Sequence, residues 1–248
     1  MNIARHIPNA ITCGNILCGA VGIVFALDGS LELSFVMMLA AAVFDFSDGL
    51  AARLLNARSE IGKELDSLCD VVSFGVLPSV MLVRLLRPAA LSVLGAGGEI
   101  FAFVPLLLAI FSALRLAKFN LDERQHESFL GLPTPAAAML CGSLAAYVSI
   151  DPNGFLASWC DGIIFIPLLT VFLCALLVSE IPMFSMKFGT GKRIPAREMS
   201  KRLVFLLLAL ASLVVAIVLG LRWTVIPLIS FAGYILINLV FAFFPERA

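Results

Sequence analysis

Between Asp45 and Asp70 the chain reads D-F-S-D-G-L-A-A-R-L-L-N-A-R-S-E-I-G-K-E-L-D-S-L-C-D, which sets Asp45, Asp48, Asp66 and Asp70 inside or beside strongly apolar segments. An ionisable side chain at bilayer depth costs at least about 2.5 kcal/mol, so four aspartates in one short stretch need a common reason. At 100° per residue, Asp45, Asp48, Gly49 and Ala52 fall within an arc of about 100° on one helix. Gly62, Asp66, Asp70 and Ser73 repeat the arrangement on the next. Two such faces opposed place four carboxylates around one hollow, where Gly49, Ala52 and Gly62 leave room for a large ligand close to the backbone. Uncompensated carboxylates repel strongly at low dielectric, so a divalent cation is expected among them. All-oxygen donors favour Mg²⁺, Mn²⁺ or Ca²⁺ over zinc.

The rest of the chain supplies the membrane. Of 248 residues, 61% are hydrophobic and only 14% charged, and the mean hydropathy is +1.04. Ordinary soluble domains carry about 45–50% apolar residues. The net charge is zero, which excludes a broad basic surface for nucleic acid. His6 and His126 are too few and too distant for a histidine metal site, and the six cysteines lack paired metal spacing and read as small buried hydrophobes. The first apolar run carries Asn9, Thr12 and Asn15 and no small-residue cleavage motif, so it is expected to persist as a span.

Windows of about 20 apolar residues fall near 9–27, 32–54, 70–87, 99–118, 133–150, 161–181, 202–220 and 224–243. The expected fold is therefore an all-α, polytopic membrane bundle of about eight helices. With both termini on the cytoplasmic side, that side collects fourteen of the 17 Lys and Arg residues, and the other keeps only Arg84, Arg87 and Arg222. This bias puts the aspartates at the cytoplasmic boundary of the inner membrane.

Polar groups outside the aspartate stretch give further candidates. Asn9, Thr12 and Asn15 on the first span are candidates for a nucleotide pocket, the alternative being helix capping and interhelical hydrogen bonds. Gly75 and Pro78 loosen the third span beside Asp70. Ser73 is a candidate for the pocket or for a bond back to its own helix. Arg115, Lys118 and Asn120 end the fourth span on the side of the aspartates and could clamp a phosphate or carboxylate, whereas Asp122, Glu123 and Glu127 read as a solvated loop. The basic run Phe188–Arg202 fails as a phosphate-binding loop, having Met186 and Arg193 where glycine and a hydroxyl are required, and suits anionic head groups instead.

The spacing D-x2-D-G-x2-A-R-x8-G-x3-D-x3-D, filled by Asp45, Asp48, Gly49, Ala52, Arg53, Gly62, Asp66 and Asp70, resembles the signature of the CDP-alcohol phosphotransferases. S-F-G-V-L-P-S, R-L-A-K-F-N and F-L-G-L-P-T-P-A-A-A (73–79, 115–120, 129–138) resemble, within that family, the membrane-embedded phosphatidylserine synthases. The resemblance covers roughly residues 5–150. It implies a six-helix catalytic core over 1–185, followed by the basic loop 186–201 and two additional spans over 202–248, all in one membrane domain.

The resemblance also implies roles. Asp45, Asp48, Asp66 and Asp70 would hold Mg²⁺ or Mn²⁺, with Asp70 also the base that takes the acceptor's proton. Asn9, Thr12, Gly49, Ala52, Arg53 and Gly62 would bind the CDP-lipid; Ser73, Arg115, Lys118 and Asn120, from their places beside the aspartates, are expected to bind the acceptor. The implied reaction passes the phosphatidyl group of CDP-diacylglycerol to L-serine, with CMP released. Glycerol 3-phosphate and inositol phosphate are alternative acceptors. Family members are commonly homodimers, and membrane lipids are further expected partners. A cation transporter would also place carboxylates in a membrane, but gathering them at one face beside a fixed Gly-x2-Ala-Arg spacing has no transport rationale. The last two spans carry no charge in their apolar cores and are expected to serve packing, lipid contact or a dimer interface.

Overall fold

Helices that are apolar on nearly every face have no amphipathic stripe to orient them, and bury themselves in lipid and in one another. The computed structural model describes residues 6–57, 59–121, 129–184 and 196–243. The helices are α1 (Ile7–Leu27), α2 (Leu31–Leu54), α3 (Glu60–Asp70), α4 (Leu77–Leu94), the short α5 (Gly98–Phe101), α6 (Leu107–Leu121), α7 (Thr134–Ile150), the short α8 (Phe155–Cys160), α9 (Phe165–Val178), α10 (Ala196–Val218) and α11 (Val225–Phe243). Five stretches, Ile7–Leu27, Leu31–Leu54, Glu60–Leu121, Glu198–Val218 and Val225–Ala242, are long and apolar enough to cross a bilayer, and Thr134–Ile150 and Phe165–Val178 are shorter apolar helices. Glu60–Leu121 contains both the third and the fourth expected spans. The chain is an all-α polytopic membrane protein.

The third span begins earlier than its hydropathy suggests. Asn56 takes a left-handed φ of 48°, the Ala57 amide closes onto Ala52 O at 3.0 Å, and the Ser59 hydroxyl caps the Gly62 amide at 3.0 Å. Asparagine tolerates that conformation and serine satisfies an orphan helix donor, so α2 reverses into α3 across residues 55–59. Polar α3 then runs on into the membrane through a π-helical turn, Val71–Val76, in which the Leu77 amide reaches Val72 O. Pro78 follows directly. Its ring has no N–H and crowds the carbonyl four residues back, and the widened turn absorbs both.

At the centre stands α7, whose run A-A-A-M-L-C-G-S-L-A-A is buried on all sides. Small residues let neighbouring backbones approach closely, and α2, α4 and α11 pack against it.

The structure adds one element absent from an all-helical expectation: β1 (Phe129–Leu130) pairs antiparallel with β2 (Pro182–Met183). The adjoining Gly131 has φ +76°, and a Cβ there would stand 2.7 Å from Leu177 O and 2.8 Å from Ser179 O. The stretch F-L-G-L-P-T-P thus docks the start of α7 onto the end of α9.

The last two spans pack within the chain. The Trp223 ring stacks on Phe35 at 5.6 Å, and its indole N–H donates to Glu32 Oε1 at 3.0 Å. At the other end of α11, Tyr234 and Asn238 are buried against Phe184. The outward faces of α10 and α11 remain exposed and apolar, as at Leu206, Leu207 and Leu236.

Candidate active site

The last turns of α2 and the length of α3 bring the aspartates together. Carboxylate oxygens of Asp45, Asp48 and Asp66 lie within 4.8 Å of one another. Asp70, one turn beyond Asp66, is buried, and Asn15 Nδ2 donates to its Oδ1 at 3.2 Å. The charges of Asp45, Asp66 and Asp48 all act on it, so the four form one electrostatic group. Asn15 is fully buried, and its Oδ1 has no partner among the described residues.

These residues suit a hard divalent cation. Oxygens bound at about 2.0–2.6 Å to a common ion lie up to about 4–5 Å apart, so the triplet needs little adjustment to share one. Without positive charge, the same oxygens would be a concentrated repulsion at low dielectric.

Beside the triplet opens a cleft of about 400 Å³ between α1, α2 and α3, lined by Asn9, Thr12, Gly49, Ala52, Gly62 and Lys63 together with Asp48 and Asp66. Five of the six residues expected to bind the CDP-lipid are therefore brought together, but not in equal roles. Gly49 faces open space: a Cβ there would meet only Arg53 Nη2, at 3.8 Å. At Gly62 the space is already taken, with Asn9 Oδ1 and Ser59 Oγ each 3.0 Å from where a Cβ would stand. Gly62 admits α1 to α3 as much as it admits a ligand. The Thr12 hydroxyl donates to Pro8 O at 3.0 Å, a bond back to its own helix and not the cap or interhelical bond that was the expected alternative. Arg53 lies outside the lining; it is exposed, with Nε on Gly49 O at 3.1 Å.

The four expected acceptor residues do not stay together. The Ser73 hydroxyl donates to Asn15 O at 3.1 Å, buried where Gly19 lets the π-helical turn press against α1. Its bond crosses to another helix instead of returning to its own. Lys118 is largely exposed and pairs with Glu180 at 3.6 Å. Asn120 clasps α6 to α3, its Nδ2 on Ser67 Oγ at 2.9 Å and its carbonyl receiving Lys63 Nζ at 3.2 Å. Only Arg115 is both buried and within electrostatic reach of Asp70. Its Nη1 donates to Thr134 Oγ1 at 3.4 Å and its guanidinium lies over Phe119, 5.2 Å from the ring centre.

Lys63 and Thr134 were not singled out from sequence. Lys63 falls at a position that the signature leaves unspecified, and Thr134 becomes visible as a partner only once α6 and α7 are adjacent. Arg58, Arg124, the acidic loop 122–127 and most of the basic run 188–202 lie outside the described residues.

The model of the CDP-alcohol phosphatidyltransferase family matches residues 5–166. The chain belongs to this family. Among related CDP-alcohol phosphatidyltransferases, the CDP-diacylglycerol–serine O-phosphatidyltransferase of Bacillus subtilis (strain 168) is 39% identical over 135 residues, covering 54% of this chain and 72% of that protein. The enzyme of the same name from Mycobacterium tuberculosis (strain ATCC 25618 / H37Rv) is 36% identical over 188 residues, 73% of this chain and 61% of its own length. The archaetidylserine synthase of Methanothermobacter thermautotrophicus is 36% identical over 140 residues, 55% of this chain and 56% of that protein. The chain thus aligns with little more than half to about three quarters of these relatives. The family match contains all four aspartates and the whole cleft lining, and ends before α10 and α11.

Proposed function

We propose that the chain transfers the phosphatidyl group of CDP-diacylglycerol to the hydroxyl of L-serine, giving phosphatidylserine and CMP. The observation that carries this reading is the gathering of carboxylates at the cleft: Asp45, Asp48 and Asp66 converge beside it, and the neighbouring buried Asp70 accepts a hydrogen bond from Asn15. The names of the relatives point to the same reaction.

Serine Oγ attacks the phosphorus that bears the diacylglycerol, the new P–O bond forms, and the bond to the CMP oxygen breaks. Asp70 takes the hydroxyl proton. Asn15, donating to one of its oxygens, fixes the carboxylate's orientation so that the other can face the acceptor. The cleft between α1, α2 and α3 receives the cytidine and diphosphate, with Gly49 leaving space at its wall. Asp45, Asp48 and Asp66 would hold Mg²⁺ or Mn²⁺, which when bound neutralises the diphosphate and stabilises departing CMP.

Arg115 suits the serine carboxylate. Of the acceptor candidates it is the buried cation on which the charge of Asp70 acts, and its guanidinium can take a carboxylate bidentately. The names of the relatives favour serine over glycerol 3-phosphate or inositol phosphate as the acceptor. The excess of Lys and Arg on one side argues that the site faces the cytoplasm, where serine is available.

The test is CMP release by the purified protein with CDP-diacylglycerol, comparing the three acceptors. Serine-dependent release with phosphatidylserine as product supports the reading, and release with another acceptor replaces serine. Asp70→Asn should keep metal and CDP-lipid binding and lose turnover; unimpaired turnover removes Asp70 from the mechanism. Cross-linking in native membranes tests the homodimer that the family resemblance implies.

A further inference from the structure

The buried polar groups of α11 lie beyond the family match and take no part in the reaction as described. Asn238 is fully buried and Tyr234 nearly so, and each bonds one residue of the segment that follows α9. Asn238 Oδ1 accepts from the Phe184 amide at 3.0 Å, and the Tyr234 hydroxyl donates to Phe184 O at 2.9 Å. Asn238 Nδ2 donates to Tyr234 O at 2.9 Å, so both ends of its amide are engaged. The Phe184 ring packs 4.8 Å from Tyr234 and 5.9 Å from Phe205. Polar side chains in a membrane-spanning helix are expensive unless satisfied, and irregular backbone at that depth needs partners. Each meets the other's requirement here.

What Phe184 is tied to makes the clasp more than a fastening. It follows β2, which pairs with β1. Beyond β1, the Gly131 amide donates to Ile181 O at 3.0 Å and the Leu132 amide to Leu176 O at 2.9 Å. The turn then delivers Thr134, whose hydroxyl accepts from Arg115.

We propose that α11 is a positioning clamp for the acceptor site, in which Tyr234 and Asn238 grip Phe184 and, through the β1–β2 pair and the Gly131–Thr134 turn, keep Thr134 in place to hold Arg115. Tyr234 and Asn238 act through Arg115 and touch neither substrate. The catalytic consequence rests on the function proposed above, whereas the mechanical link does not.

Two measurements on Asn238→Leu and the milder Tyr234→Phe separate the two. The first is the Michaelis constants for serine and CDP-diacylglycerol. The serine KM should rise about tenfold, the scale of one lost buried hydrogen bond, while the CDP-diacylglycerol KM stays within about twofold. Leu236→Ala, on the exposed face of the same helix, should change neither. The second is hydrogen exchange of the unmodified and variant proteins, where the Gly131 and Leu132 amides should exchange faster and α1 and α2 should not. A loss confined to kcat or to melting temperature, with serine KM unchanged, would reduce α11 to a structural part and overturn the proposal; so would unchanged exchange at Gly131 and Leu132. If the unmodified protein uses no acceptor, the assigned reaction fails, and the exchange result alone decides whether α11 restrains the turn.

Discussion

Replacing Gly49 with alanine should strengthen the fold and weaken the enzyme. Gly49 lies inside α2, where alanine is favoured over glycine by about 1 kcal/mol. The added Cβ meets nothing nearer than Arg53 Nη2 at 3.8 Å, an ordinary approach to the end of a flexible side chain. For a chain of this size that gain corresponds to a rise of about 2–4 °C in unfolding temperature. The same methyl projects into the cleft of about 400 Å³ assigned to the CDP-lipid, beside Asp48. Overfilling a close contact costs about 1–3 kcal/mol, or roughly five- to 150-fold in kcat/KM. Thermal unfolding in detergent and CMP release at varied CDP-diacylglycerol measure the two effects on one preparation. A variant that is more stable and equally active would show that the donor does not approach Gly49. One that is less stable would contradict the open space observed there.

Gly19→Ala should do the opposite, costing stability and activity together. Its Cβ would overlap Ser73 Oγ and stand 3.0 Å from Ser73 Cα, a backbone atom that cannot swing aside. The expected loss is about 1–3 kcal/mol in thermal or denaturant unfolding. Adding Ser73→Ala should recover only part of it, since the backbone at that position still stands in the way. Chelation of divalent cations should stop CMP release and lower the unfolding temperature, because it removes the positive charge that offsets repulsion among the carboxylates of Asp45, Asp48 and Asp66. Mg²⁺ or Mn²⁺ should restore both. Asp48→Asn should shrink the metal-dependent shift in unfolding temperature, and an undiminished shift would place the ion elsewhere.

The residues near the aspartates were legible because their information is local. Asp45 to Asp70 lies on two consecutive helices joined by residues 55–59, so helical periodicity alone decides which side chains share a face. Hydropathy over some twenty residues likewise announces each span, because lipid demands it of any crossing segment. These two local rules were enough for the bundle, the carboxylate cluster, and the hollow beside Gly49, Ala52 and Gly62, whereas Asn9 and Thr12 on the first span were joined to it by the family resemblance.

What the tertiary structure decided concerns partners distant in the chain. Lys118 and Arg115 look equivalent in R-L-A-K-F-N, yet on α6 one meets Glu180 near the surface and the other Thr134 and the charge of Asp70. Asn15 and Asp70 are separated by 55 residues, and Tyr234 and Phe184 by 50. No periodicity connects such pairs. The last two spans looked like plain hydrophobic segments because lipid contact and helix packing call for the same side chains, and only the packing of α11 on α7 distinguishes them. The sequence by itself determined a membrane bundle with four carboxylates at one hollow. The structure alone decided which distant groups meet: Asn15 with Asp70, Arg115 with Thr134, and the far end of the chain with Phe184, because such pairs are fixed by packing and not by any local period.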